Sequence, residues 1–153
     1  MSELLTYTDE DARWLREDAE ALAALVAGRD DAALRATRIG EWTAKEVIGH
    51  LADTAELFAE RVRRCINEER PFFPDFDTEA AVRERRHNER DAARLASRVA
   101  TANEEIATLL AEPWNLERIG VHEVQGERTA GHFGAYHAEH AHGHVEELRS
   151  LLG

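Results

Sequence analysis

One cysteine, Cys65, stands among 153 residues. A lone cysteine cannot build an internal disulfide framework, which excludes the small stapled secreted folds and fits a cytoplasmic protein. It also serves more readily as a small buried apolar group than as a nucleophile. Proline is almost as scarce, at Pro71, Pro74 and Pro113 only, so most of the chain is free of helix breakers. β-Branched residues are sparse, which argues against extensive sheet. No apolar run reaches the roughly 18 residues of a membrane span. The opening Met1-Ser2-Glu3-Leu4 lacks the basic and apolar regions of a secretory leader. Basic charge is also in deficit. Lys45 is the only lysine, and 31 acidic against 19 basic side chains give a formal charge of −12. That surplus repels phosphate backbones, so neither a nucleic-acid nor a membrane partner is expected. Arginines cluster briefly at Arg61-Arg63-Arg64 and Arg83-Arg85-Arg86.

What is present favours helix. The chain is 43% hydrophobic and rich in Ala, Leu, Glu and Arg, all strong helix formers. Thr8 precedes Asp9-Glu10-Asp11 and reads as an N-cap followed by acids facing the positive helix end. Ala12, Leu15, Ala19, Leu22 and Val26 then recur at helical spacing, and Gly28 ends the run. Residues 28–42 form a connection with a short turn at Asp31–Leu34. Thr43-Ala44-Lys45-Glu46 is a capping box opening a second helix, with a stripe of Val47, Leu51, Thr54, Phe58, Val62 and Cys65. That helix closes before Pro71. The crossover Pro71-Phe72-Phe73-Pro74-Asp75-Phe76 either caps one end of the structure or walls a ligand pocket. A third helix is predicted from Asp77-Thr78-Glu79 to about Leu110. Its first half, Arg83 to Arg90, is almost wholly polar, reading as a solvated face or a surface for another subunit, with His87 exposed. Glu112-Pro113-Trp114-Asn115 ends it. Val121–Gly126 reads as a short extended piece, and Thr129 caps a last helix reaching Leu152. Four apolar stripes on four helices predict an all-α single domain spanning residues 1–153, a four-helix bundle with long crossover connections.

The last helix carries the densest chemistry. Four of the eight histidines lie between His137 and His144. His140 and His144 are one turn apart and point the same way. They fall on a stripe of His132 or Phe133, Tyr136, His140, His144 or Gly143, Leu148 or Glu147, and Leu151, where core residues would otherwise stand. Burying a polar imidazole without a partner costs a few kcal/mol, and a shared divalent ion would satisfy both. A solvated, histidine-rich helix end is the alternative. Two imidazoles hold a metal weakly, so a third ligand must come from another helix, and His50, midway down the second, is the best placed. A three-histidine site leaves a position for water or substrate, unlike a structural zinc site closed by four protein ligands. His142 reads as exposed and His137 as partly inward. Asp53, Tyr136, His137 and Glu46 are candidates for orienting or proton-transfer roles, each with a structural alternative, and no catalytic residue is assigned.

Trp42-Thr43-Ala44-Lys45-Glu46-Val47-Ile48-Gly49-His50-Leu51-Ala52-Asp53 resembles the start of the second helix in the DinB/YfiT-like superfamily, where a Trp-x-x-x-Glu-Val-x-x-His-Leu-x-Asp pattern introduces the first metal histidine. Gly126-Glu127-Arg128-Thr129, followed by His140-x-x-x-His144 before Val-Glu-Glu-Leu, is similar to the family's last helix. The resemblance covers nearly the whole chain. It implies a DinB-like four-helix bundle with a three-histidine site at His50, His140 and His144 for zinc or nickel, with iron or manganese as further candidates. It also implies a homodimer acting on a small-molecule substrate. Val145-Glu146-Glu147 replaces the Arg-Gly-Gln often seen after the last histidine. This sets the chain apart from the subfamily named for DNA-damage induction and leaves a YfiT-like or thiol-transferase-like branch. The family includes metal-dependent transferases of bacillithiol and isomerases using mycothiol. The resemblance therefore implies conjugation of a low-molecular-weight thiol cosubstrate to an electrophile. Metal-dependent hydrolysis is the alternative activity, and a dimeric metal- or ligand-binding stress protein the non-enzymatic one.

Overall fold

Helix α1 (Asp9–Ala27) begins where the sequence predicts. The Thr8 hydroxyl accepts from Asp11 N–H, and the Asp11 carboxylate accepts from Thr8 N–H at 2.9 Å. Helix α3 (Ala44–Asn67) opens with the same reciprocal device between Thr43 and Glu46. Helix α6 (Ala130–Leu152) is capped by Thr129, whose hydroxyl accepts from His132 N–H. The computed structural model describes residues 3–153. Met1 and Ser2, the start of the stretch read as having no leader, lie outside the described residues. No helix among them is long and apolar enough to cross a membrane.

The predicted third helix is two helices. Helix α4 (Thr78–Arg85) is capped by Asp77 and stops at Arg86, which is left-handed at φ 53°. A 3-10 turn at His87–Glu89 follows, and Asp91 then caps α5 (Ala92–Leu110) with its own side chain. Continuous polar sequence hides this break because Arg and Glu tolerate helix well.

Four long helices bury the stripes. Helices α1 and α3 each pack on both α5 and α6 and stand diagonally opposite each other. Glu56 meets Arg98 and Arg63 meets Glu105, so α3 and α5 run parallel. Arg16 meets Glu104, and Asn103 donates to Leu15 O, while Leu22 and Leu95 share a cluster, so α1 runs against α5. Contacts of Phe58 with Phe133, and of His50 with His144, place α6 antiparallel to α3. Two apolar clusters fill the interior. One is built around Leu22, Ile48, Leu51, Leu95 and Leu148, the other around Leu15, Phe58, Val62, Ile106 and Phe133. Cys65 lies buried in the second.

This order requires long connections. The first carries helix α2 (Asp31–Ala36) and a hairpin of β1 (Arg38–Ile39) and β2 (Trp42–Thr43), turned at Gly40, which is left-handed at φ 61°. The second must return the chain to the end it left, because α3 and α5 are parallel. It carries β3 (Phe72–Phe73), which pairs in parallel with β4 (Ile119–His122). The third contains β4 and β5 (Gly126–Thr129), an antiparallel pair. The extended piece expected at 121–126 is instead the end of β4, a turn at 123–125 and the first residue of β5, and β4 is the centre of a three-stranded sheet that clips two crossovers together. The aromatic crossover divides its roles. Phe73 is buried in the core, Phe72 is exposed, and Phe76 lines a cavity.

His87 is not solvent-exposed as its polar surroundings suggested: it is 1% exposed. Its ring lies over Gly49, and Nε2 is 2.9 Å from Asp53 Oδ2. Arg85 and Arg98 also bond the buried Asp53 carboxylate, at 2.7 and 3.2 Å. The polar segment thus turns back onto α3. A Cβ at position 49 would stand 2.0 Å from His87 Cγ. We expect Gly49→Ala to lose about 1–3 kcal/mol of stability in urea denaturation, the usual range for overpacking. Adding His87→Ala should recover part of that loss, since the two positions share one volume.

Candidate metal centre

Helix α3 presents His50 from its second turn, 4% exposed, under the ring of Trp42 at a 5.0 Å centroid distance. The tryptophan that precedes the capping box thus covers the histidine eight residues after it. Helix α6 presents His140 and His144 one turn apart, with centroids 4.7 Å apart and rings nearly perpendicular. His50 stands 5.5 Å from His140 and 5.2 Å from His144. One ring nitrogen from each of the three lies within 4.8 Å of the others, and among the described residues no fourth His, Cys, Asp or Glu joins this group.

The donor set fits a divalent ion. Burial, with the neighbouring His144 and His140, pushes the His50 pKa down to about 4. Burial and His144 likewise lower that of His140. Neutral imidazoles crowded together repel protons and welcome a metal. Zinc binds imidazole nitrogen at about 2.0–2.1 Å, so an ion held by all three would sit between nitrogens that already lie within 4.8 Å of one another. Glu147 Oε1 lies 2.9 Å from His144 Nδ1. A proton shared there leaves Nε2 as the ligand atom, an outer hydrogen bond typical of metal-binding histidines.

Helix α6 is turned relative to its predicted stripe. Its buried face is Ala130, Phe133, His137, Ala138, Ala141, Val145 and Leu148. His140 and His144 stand at the rim of the core, and Tyr136 is 41% exposed, with its ring parallel to His140 at 6.0 Å. The small residues let α6 approach its neighbours closely, and this close approach selects the buried face. His137 is fully buried and bonds Asn103 Oδ1 at 2.9 Å, so its Nε2 is engaged there and not with the three candidate ligands. Asn103 in turn donates to Leu15 O, forming a polar tie through the bundle centre. Asp53 is engaged by Arg85, His87 and Arg98 and makes no hydrogen bond to His50. Glu46 closes the capping box. His142, expected to be exposed, is half-buried: it stacks on Trp14 at 4.0 Å and bonds Asp18 at 2.9 Å. Glu146 completes a second cluster with those two.

A cavity of about 170 Å³ opens beside the histidines, between α3 and α6. On α3 its lining runs His50, Thr54, Leu57 and Arg61; on α6 it runs His132, Tyr136 and His140. Phe76, Asp75, His122 and Gln125 close it from the connections. Thr54, Leu57, Arg61, His122 and His132 escaped the sequence reading as site residues. The spacing of four, seven and eleven residues from His50 marks the first three as sharing its face. His122 and His132 carry no such signal, since loop and cap geometry brings them in.

The fold and this site together define a crossover four-helix bundle with a candidate three-histidine metal centre. The chain belongs to the DinB superfamily, whose sequence profile matches residues 14–148. Among solved structures it is similar to YfiT from Bacillus subtilis, described as a probable metal-dependent hydrolase with an unusual four-helix bundle topology. That match has TM-score 0.81 and 22% identity, and covers 94% of this chain and 84% of that one. It is also similar to TT2238, a four-helix bundle protein, with TM-score 0.62 and 22% identity over 92% and 96% of the two chains. These likenesses establish the fold. No curated protein matches the chain significantly in sequence.

Two outcomes follow from the geometry. Elemental analysis should find one divalent ion per chain, lost in His140→Ala, because two imidazoles hold metal weakly. Second, the metal-free protein should lose stability on acidification. Burial holds His50 and His132 at about 4 and His137 at about 3, against about 6.5 when unfolded. Between those values the unfolded chain binds more protons, so stability is full above pH 6.5 and falls as pH drops toward 4. Thermal melts across that range should show a falling Tm, with a shallower slope in His137→Gln.

Proposed function

We propose that this chain is a divalent-metal-dependent transferase that joins a low-molecular-weight thiol to an electrophile. The observation that carries this reading is the three-donor histidine cluster, without a fourth protein ligand among the described residues, with His50 and His140 on the wall of an open cavity. When bound, zinc, nickel, iron or manganese supplies Lewis acidity that lowers the pKa of a coordinated thiol or water. Three imidazoles suit any of these ions.

The chain's own groups set the rest. Cys65 is buried and its thiol is pushed up to about 12 by that burial, so the nucleophile must arrive with a cosubstrate. Leu57, Phe58, Phe76, Phe133 and Tyr136 give the cavity an apolar wall for the electrophile. Tyr136 lies against His140 and can limit the approach to it. His132 stays neutral near pH 7, because burial and then Arg128 depress its pKa to about 4. Its Nδ1 accepts from Leu5 N–H, which leaves the proton on Nε2.

Hydrolysis is the second reading, favoured by the description of YfiT as a probable metal-dependent hydrolase. The two separate in one assay. Glutathione, cysteine and coenzyme A are offered with monobromobimane, and a nitrophenyl ester is offered without thiol, each with and without chelator. The transferase reading expects a thiol-dependent rate that falls at least about tenfold with chelator and in His140→Ala, a loss of about 1.4 kcal/mol in transition-state stabilisation. A chelator-sensitive ester rate with no thiol transfer would replace it with the hydrolase reading.

A further inference from the structure

Arg61 is a buried charge with no direct ion pair among the described residues; the carboxylates of Asp75 and Glu60 act on it only through space. It is 6% exposed, and its guanidinium sits among three phenylalanine rings, with Cζ 5.2 Å from the centroid of Phe58, 5.6 Å from Phe133 and 5.8 Å from Phe73. Its hydrogen bond within the described residues is from Nη2 to Pro74 O at 3.2 Å, and Nε is buried with no partner. Aromatic faces attract a cation, yet they leave N–H donors unsatisfied. A buried arginine that keeps its charge needs an acceptor for those donors. Asp75, the carboxylate sharing the cavity, is largely exposed and lies 3.5 Å from His122 Nε2.

Its position gives the guanidinium a use, since Arg61 lines the cavity. Arg61 follows His50 by eleven residues, three turns along one face of α3, so the two backbones are separated by about 16 Å along the axis. Both line the same cavity, with Thr54 and Leu57 between them and Tyr136 opposite. The groove therefore has histidines toward one end, a largely apolar middle, and a guanidinium with no direct ion pair toward the other.

We propose that the Arg61 end of this groove is a carboxylate-binding subsite, and that the molecule acted on is elongated, with its reactive group at the histidines and a carboxylate on Arg61. The planar guanidinium fork matches a carboxylate with two parallel hydrogen bonds. The rings around it restrict the approach to its edge, which favours a planar anion over a tetrahedral one. The proposal rests on the metal-centre reading for the histidine end alone; the anion subsite stands on Arg61.

The test uses 6-mercaptohexanoate, its amide and the corresponding phosphonate, titrated calorimetrically into metal-free and zinc-loaded full-length protein. The expected result is that the acid binds at least about tenfold tighter than the amide in both forms, the scale of a charge-assisted hydrogen bond. Arg61→Gln should abolish that preference while keeping the wild-type zinc content, and Arg61→Lys should retain part of it. Equal binding of acid and amide by the wild-type protein overturns the subsite, as does failure of the acid to bind either form. A preference that survives in Arg61→Gln places the anion elsewhere, and tighter binding of the phosphonate overturns the choice of carboxylate. Because the wild-type comparison needs no variant, a misfolded Arg61→Gln leaves the result decisive. Loss of zinc binding with the acid preference intact would count against the metal centre alone.

Discussion

The buried carboxylate of Asp53 is the constraint on which the site depends. It gathers Arg85 from the end of α4, His87 from the turn after it and Arg98 from α5. Burial alone would raise its pKa. The hydrogen bonds from His87 and Arg85 outweigh that effect and hold it below the ordinary carboxylate range. Breaking such a buried cluster by removing one member is far costlier than its net worth suggests, on the order of 3–5 kcal/mol. The consequence is architectural. The second connection must run the length of the bundle because α3 and α5 are parallel, and Asp53 is where it is tied down. Gly49, one turn earlier, leaves the room for the His87 ring that this tie requires.

The candidate centre is built on the next residue, His50. The stretch from Trp42 to Asp53, which is β2 and the first turns of α3, therefore serves several purposes on different faces. Trp42 covers His50. The Thr43 hydroxyl accepts from Glu46 N–H and bonds Asn88 at 2.7 Å. Lys45, the chain's one lysine, reaches both Asp31 and Asn88 O. Val47, Ile48 and Leu51 enter the core. The helix that carries the first histidine is thus fastened to both the first and the second connection. Across the groove, α6 holds the other two histidines by packing a face of small residues against its neighbours. A site on two antiparallel helices fixed in this way has little freedom to distort, as a metal centre with defined geometry requires.

The same arrangement separates the candidate metal centre from the far end of the groove. The histidines sit where α6 meets the start of α3. The cavity extends along both helices toward the three-stranded sheet, where Arg61, His122 and His132 gather. Burial, and after it Arg61, depress the His122 pKa, while His122 Nδ1 accepts from Val124 and Gln125 N–H and keeps the ring fixed. Connections that look irregular in sequence thereby become the remote wall of the groove.

Local rules in the sequence determined the helices and their caps: Thr8, Thr43, Asp77 and Thr129 each satisfy amides within their own first turn, so short-range spacing suffices to find them. They also determined that His140 and His144 share a face, since i and i+4 positions do so in any helix, and the Trp42–Asp53 motif singled out His50 as their partner. The break at Arg86 was not legible, because it is enforced by Asp53 and Gly49, more than thirty residues away in sequence. For the same reason His87 was misread as exposed. The face that α6 buries was also decided by packing: alanines, glycines and histidines give a weak hydrophobic contrast, and close approach to α1 and α3 chose among registers the sequence leaves nearly equal. Only the tertiary structure could place Arg61 at the end of a cavity whose other wall comes from α6, because its environment is made by residues distant in the chain and joined only by the fold.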